Sequence, residues 1–380
     1  MDYKEFCSTE IVFADLQELK TRLEALEYKN ITFVMSESSA QRWVLLDSIN
    51  EVRKNCKNLG NDFVWLKDIA ANPNQSDVLL ALEQIDSKRI DVIIAIGGGS
   101  ALDLAKAVSA FYKDGSNNPY TVSDITNIIQ SKKYPLSGGV DIIGIPSTAG
   151  TGSELTQWAT IWDIDGQAKY SIDHPRLKPV QALIVPELTY TLPADLTLST
   201  GLDAMAQAIE AYWSKHTNPL VQDLAFRAVE LVMTNLKQAI ENMTDAKARE
   251  GLCRASVLAG LAFSQTRTTA CHSISYPLTM LHNVPHGLAA SITLDGVGRL
   301  NKRHFENDEK LFELFSTYGG IMNWIDWVSK GVQIMRLSAF GIKQEDIVNI
   351  VDRAFTGGRM DNNPVDLSKK DVEDILIQVL

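Results

Sequence analysis

Cysteine is scarce. Cys7, Cys56, Cys253 and Cys271 are scattered, with no CxxC pair among them. That excludes a disulfide framework and a thiolate zinc site. Long apolar runs are missing as well, and no stretch reaches the ~18 residues of a membrane helix. Basic charge is in deficit: Lys plus Arg total 36 against 47 for Asp plus Glu, a net charge of −11. An acidic chain without a basic tract is a poor partner for nucleic acid or an anionic membrane. Any anion it binds must be held by a local group. The first ten residues lack a basic patch followed by an apolar segment, so no signal peptide is expected, and the cytoplasm is the expected compartment. Low-complexity sequence, repeats and long linkers are also absent.

What is present is ordinary for a globular protein, with 45% hydrophobic and 22% charged residues. At roughly 100–200 residues per domain, 380 residues suggest two domains. Cores of that size need neither disulfides nor a structural metal. The first half alternates strand-like runs (Ile31–Met35, Phe63–Leu66, Asp91–Ile96, Val140–Ile145) with helix-like ones such as Ser76–Ser87. DVIIAI is apolar at nearly every position, as in a strand covered on both faces of a parallel sheet. Past about residue 190 strand signals fade. Helical patterns follow over Gly201–Lys215, Pro219–Met243 and Lys247–Ala262, with shorter ones at Glu309–Tyr318 and Ile321–Lys330. The expected architecture is an α/β domain with a parallel sheet over 1–190 and an all-α domain over 191–380, with a ligand cleft between them.

Four segments carry chemistry. Gly97-Gly98-Gly99-Ser100 lies between DVIIAI and the helix pattern Ala101–Phe111. Glycines there let backbone N–H groups and the helix dipole approach a phosphate, although the spacing is not GxGxxG. Pro146-Ser147-Thr148-Ala149-Gly150-Thr151-Gly152-Ser153-Glu154 follows the next strand. Its hydroxyls suit a polar cofactor, and an N-cap at Ser153 explains it equally well. Asp203, Gln207 and Glu210 sit at i, i+4 and i+7 on one helix face. Asp203 alone reads as a carboxylate near a helix start. His272 and His286, flanking a break expected at Pro277, make it a potential partner: two imidazoles and a carboxylate suit a divalent metal with an open position.

Together these segments resemble the iron-containing (group III) alcohol dehydrogenase family. The resemblance extends over nearly the whole chain: Asn72-Pro73-Asn74, the GGGS turn with Asp103 and Lys106, PSTAGTGSE, GLDAMAQAIEAYW, and the 14-residue interval from His272 to His286. It implies an N-terminal dinucleotide-binding domain, a helical domain that binds metal and substrate, and NAD(P)H-dependent reduction of an aldehyde to an alcohol. By position, Gly98, Gly99, Asp103, Thr148, Thr151 and Lys169 match nicotinamide-cofactor contacts, with Ser100 and Ser147 from the same loops. Asp203, His272 and His286 match metal ligands for Fe2+ or Zn2+. Gln207 stands where the family has a fourth ligand, a histidine; its amide oxygen is a weaker donor than imidazole. Tyr276 stands where the family has a histidine near the nicotinamide.

A narrower resemblance, to the phosphonoacetaldehyde reductase branch, rests on SQTRTTACH with SISYPLT, Trp158–Asp163, Lys169-Tyr170-Ser171, Trp213-Ser214 and Arg359–Pro364. It implies phosphonoacetaldehyde as substrate and 2-hydroxyethylphosphonate as product, with Tyr276 expected among the catalytic residues. Arg267, five residues before His272, is expected to grip the phosphonate with Thr268 or Thr269. Glu37, after the strand Ile31–Met35, gives a slight lean to NADH, while Ser36, nearer to the family's Asp position, would tolerate a 2′-phosphate. A homodimer is the expected assembly. The rivals are a general short-chain alcohol dehydrogenase, a lyase or cyclase like the dehydroquinate synthases, and a catalytically silent dinucleotide-binding homologue suggested by Gln207.

Overall fold

A computed structural model describes residues 6–113, 120–136, 140–163 and 168–380. The chain forms two compact units: Met1–Thr148 with Ser153–Thr189, and Ala149–Gly152 with Tyr190–Leu380. The short segment Ala149–Gly152 therefore clusters with the helical unit and not with the strands around it.

The first unit is built on six parallel strands: β1 (Glu10–Phe13), β2 (Ile31–Val34), β3 (Phe63–Leu66), β4 (Val92–Gly97), β5 (Asp141–Pro146) and β8 (Gln181–Ile184). Their order is β1-β8-β5-β4-β2-β3. β4 shows why its run is apolar throughout. Ile93 and Ala95 enter one core, while Val92, Ile94 and Ile96 enter the other, on the opposite face. Both faces are covered, so no position is left for a polar residue. An antiparallel hairpin, β6 (Trp158–Asp163) with β7 (Ala168–Asp173), stands apart from this sheet. Helix α1 (Glu37–Arg42) follows β2, helix α2 (Gln75–Gln84) follows β3, and helix α3 (Gly99–Phe111) follows β4.

The second unit is helical among the described residues. Helices α4 (Ala194–Trp213), α5 (Pro219–Glu241) and α6 (Ala246–Thr266) pack together, and α7 (Ala270–His282) and α8 (His286–Ser291) join α4. Two expectations need correction. Helix α4 begins at Ala194, not Gly201, so Asp203 lies mid-helix and is not a first-turn carboxylate. Helix α7 runs through Pro277, and the break between His272 and His286 falls later, at Asn283 (φ 54°). There Asn283 N–H donates to Thr279 and Val284 N–H to Leu278, a C-terminal closure that reverses the chain.

Candidate functional site

In the first unit, two loops sit at the carboxyl ends of β4 and β5, where parallel sheets bind their ligands. Gly98 caps α3 with no side-chain acceptor on the first turn, so the helix start is open to an anion. A Cβ on Gly98 would lie 3.5 Å from Thr148 Cγ2. The Thr148 hydroxyl is buried with no hydrogen-bond partner. An open helix N-terminus beside an unsatisfied buried hydroxyl fits a phosphate-bearing cofactor. Ser147 is buried, and its N–H donates to Gly97 O. The Ser100 hydroxyl accepts from Asn72 N–H at 3.1 Å and so anchors the Asn72-Pro73-Asn74 turn. Lys169, on β7, lies over the Trp162 ring.

Asp103, an expected cofactor contact, also takes part in a brace within the fold. Its carboxylate accepts from Ser153 Oγ at 2.7 Å and Thr160 N at 3.0 Å, so both oxygens serve the fold. Lys106, fully buried, completes the brace through Ser153 O, Ser153 Oγ, Thr156 Oγ1 and Trp158 O. Burial lowers the Lys106 ammonium to about 8 against the opposing pull of Asp103 and Glu154. Burial also raises the Glu154 carboxyl to about 7.

A pH signature follows. A carboxyl raised on folding stabilises the native state fully below its unfolded value of 4.5, and that contribution is lost as pH rises through about 7. The depressed Lys106 acts only above about 8, where lowering the pH from 10.5 costs stability. Asp103 is raised in the same direction and His272 is raised from 6.5, so the Glu154 share is read from the difference between a Glu154 variant and wild type. Glu154→Gln is expected to gain about 2–3 kcal/mol relative to wild type between pH 5 and pH 8. Thermal melts of both proteins across that range check it, and parallel melting curves would reject it.

In the second unit, α4 presents Asp203, Gln207 and Glu210 on one face, and α7 presents His272 and Tyr276 at i and i+4. His286 begins α8. One ligand atom each from Asp203, His272 and His286 lies within 4.8 Å of the others. His272 Nε2 is 3.3 Å from Asp203 Oδ1, and the His272 and His286 rings meet edge-on at 5.4 Å. Gln207 Nε2 donates to Asp203 Oδ2 at 3.1 Å and to Thr151 O at 3.5 Å, while its Oε1 is buried with no hydrogen-bond partner. Two imidazoles, a carboxylate and an unsatisfied amide oxygen fit a divalent cation.

Glu210 was visible in the sequence only as the i+7 member of this face, with no role attached. It is fully buried and pairs with His272 Nδ1 through Oε2. Its Oε1 accepts from Cys271 N at 2.7 Å, His272 N at 3.2 Å and Thr269 Oγ1 at 2.9 Å. A carboxylate behind a ligating histidine fixes its tautomer and orientation. Burial works against a charged His272, but the Glu210 charge and the hydrogen bonds to Asp203 and Glu210 raise it to about 9.

Tyr276 is buried and stacks on His286, with ring centroids 6.2 Å apart and planes 8° from parallel. Burial raises its phenol, which therefore stays protonated at neutral pH. The Thr269 hydroxyl donates to Glu210 and accepts from Trp213 Nε1. Thr268 is buried and its carbonyl accepts from Asn362. Arg267 is exposed and ends α6 with φ 61° and ψ −179°. For a side-chain-bearing residue that conformation costs about 1–3 kcal/mol. Its Nη1 lies 3.3 Å from where a Cβ on Gly358 would be.

The chain is similar to known proteins over nearly its whole length. Residues 8–186 match iron-containing alcohol dehydrogenases, and residues 197–380 match the C-terminal domain of the Fe-containing alcohol dehydrogenase family. The chain is 30% identical over 374 residues to the NADPH-dependent butanol dehydrogenase of Clostridium saccharobutylicum, covering 93% of this chain and 92% of that protein. It is 37% identical over 236 residues to the phosphonoacetaldehyde reductase of Streptomyces viridochromogenes, covering 60% of this chain and 58% of that one. The crystal structure of sulfoacetaldehyde reductase from Bifidobacterium kashiwanohense in complex with NAD+ superposes with a TM-score of 0.83 at 29% identity, covering 98% of this chain and 97% of that chain. No helix among the described residues is long and apolar enough to cross a membrane.

Proposed function

The chain belongs to the iron-containing alcohol dehydrogenase family and is an NAD(P)-dependent, metal-using alcohol/aldehyde oxidoreductase, and from that premise we propose that it reduces phosphonoacetaldehyde to 2-hydroxyethylphosphonate. The favoured donor is NADH and the metal is Fe2+ or Zn2+. Gly98, Gly99, Ser147 and Thr148 hold the cofactor, joined by Ser100, Thr151 and Lys169. Asp203, His272 and His286 hold the metal, with Gln207 a weak fourth ligand. When bound, the nicotinamide supplies hydride transfer and the metal supplies polarisation of the carbonyl oxygen. By accepting the Nδ1 proton, Glu210 would leave the Nε2 lone pair for the metal once the cation displaces the second ring proton of His272. Tyr276 holds a proton on Oη at neutral pH and can hydrogen-bond to the oxygen that becomes the alcohol.

The observation that carries the phosphonate reading is Arg267-Thr268-Thr269 just ahead of the candidate ligand His272, in an otherwise acidic chain. Arg267 is the cation proposed for the anionic end. The relatives from Streptomyces and Bifidobacterium, reductases of a phosphono- and a sulfo-substituted aldehyde, support an anionic substrate. The Clostridium butanol dehydrogenase, matched over nearly its whole length, favours the second reading, a general short-chain alcohol dehydrogenase. For the donor, Glu37 opens α1 directly after β2, where an acidic group engages ribose hydroxyls. Lys67 Nζ, 3.2 Å from Glu37, offsets part of that charge, so the preference for NADH is small.

The test is a cofactor-oxidation assay of the metal-loaded enzyme on phosphonoacetaldehyde and propanal, with NADH and NADPH. The expected kcat/KM ratio is at least ~30 in favour of phosphonoacetaldehyde, as for hydrogen bonds to one charged group. A ratio near one returns the chain to the general alcohol dehydrogenase reading, and a marked preference for NADPH overturns the donor.

A further inference from the structure

Arg359 has a setting that the sequence does not announce. Its guanidinium lies over the Tyr276 ring, 5.1 Å from the centroid, and hydrogen-bonds to the Tyr276 side chain. Tyr276 in turn stacks on His286, one of the three residues of the metal-capable cluster. Arg359 is half-buried, and among the described residues no carboxylate pairs with it. In a chain with a net charge of −11, a partly desolvated guanidinium left without an acid is unusual. Its planar fork of N–H donors matches a tetrahedral oxyanion.

The surrounding backbone is built to hold it there. Arg359 precedes the turn Met360–Asn362. Asn362, itself buried, donates through Nδ2 to Gly358 O at 2.8 Å, Thr268 O at 3.2 Å and Thr266 O at 3.5 Å. One amide thus ties the Arg359 turn to the segment carrying Arg267. Asn363 and Asn301, both fully buried, exchange reciprocal amide bonds at 2.8 and 2.9 Å. The Arg267 tip packs on Gly358, the residue before Arg359. The Arg267 tip thus meets the chain one residue before Arg359.

We infer that Arg359, laid on Tyr276 beside His286, is the specificity-determining residue that receives the phosphonate or sulfonate end of the substrate aldehyde, with Arg267 as a second, outer cation. This rests on the anionic-substrate reading above and moves the main grip from Arg267 to Arg359. The ring stack fixes the spacing: the oxyanion sits on the guanidinium, and the carbonyl end of a two-carbon substrate points along Tyr276 toward His286.

The experiment measures kcat/KM on phosphonoacetaldehyde, sulfoacetaldehyde and propanal for the metal-loaded wild type, Arg359→Gln, Arg359→Lys and Arg267→Ala. 2-Hydroxyethylphosphonate is also titrated calorimetrically into each holoenzyme. Arg359→Gln is expected to lose at least ~30-fold on both anionic aldehydes, mainly through KM, with a loss on propanal at least tenfold smaller. Arg359→Lys, which keeps charge but not the fork, should recover part of that loss. Arg267→Ala should lose less than Arg359→Gln, and product binding should follow the same order. Comparing the two anionic aldehydes in the wild type identifies which head group the site prefers. Equal losses on charged and neutral aldehydes, or product affinity unchanged in Arg359→Gln, would overturn the assignment. A wild-type enzyme with no anionic preference overturns the substrate class itself. A wild-type preference that survives Arg359→Gln but collapses in Arg267→Ala overturns only the role of Arg359.

Discussion

Gly287→Ala is expected to disrupt the second unit more than any other single added methyl. A Cβ at Gly287 would lie 1.9 Å from Ser199 O and 2.9 Å from Asp203 Cβ. The first contact is with a backbone carbonyl in α4, which no rotamer change can move. Helix α8 and helix α4 must therefore separate, and overpacking of that kind costs about 3 kcal/mol or more. For a unit of this size the melting temperature should fall by roughly 6–12 °C. The shift also reaches the candidate metal centre, because Gly287 follows His286 directly and its neighbours in α4 include Asp203. Metal stoichiometry should fall with stability. Gly357→Ala is the control: nothing lies within 4 Å of its added carbon, and its effect should stay within about 0.5 kcal/mol. A Gly287→Ala protein with wild-type melting and full metal content would show that the two helices are not in contact as described.

The same close approach marks where sequence reasoning runs out. The β4 strand was legible because burial on both faces removes every polar position, a one-dimensional signal. The i, i+4, i+7 face of Asp203, Gln207 and Glu210 was legible for the same reason, since helical geometry is local. What α4 faces was not legible. The role of Glu210 depends on Cys271, His272 and Thr269, about 60 positions away. Pro277 misled because a proline usually stops a helix, whereas packing carries α7 past it to Asn283. Asp103 is legible as part of a motif, while its bonds to Ser153 and Thr160, about 50 positions away, are not. Arg359 belonged to a quoted motif, yet only the fold puts it on Tyr276, 83 positions earlier. The hairpin β6–β7 is two short strands off the main sheet, with no long apolar run to announce it.

Glu210 gives the sharpest test of how the candidate metal centre would be held. With a cation at Nε2, His272 would keep one ring proton, and the Glu210 carboxylate would accept it at Nδ1. In Glu210→Gln the amide has one oxygen for both tasks. If that oxygen keeps the Cys271 and His272 N–H groups, the amide N–H₂ faces Nδ1 and forces the proton to Nε2, where a ligand lone pair is needed. If the amide flips, two buried backbone donors meet N–H₂ and lose their acceptor. Either arrangement should weaken metal binding about 10–100-fold, the usual cost of losing the partner behind a ligating histidine. Glu210→Ala goes further. It leaves the Cys271 and His272 N–H groups and the Thr269 hydroxyl unsatisfied in the core, at about 1–3 kcal/mol for each group. That variant should lose metal and melt well below wild type, while Glu210→Gln should lose metal with a smaller change in melting. Titration of the metal-free proteins with Zn2+ or Co2+, with calorimetry on the same samples, separates the two effects. Metal affinity unchanged in Glu210→Gln would mean that His272 needs no carboxylate behind it, and His272 would then no longer qualify as a ligand oriented by Glu210.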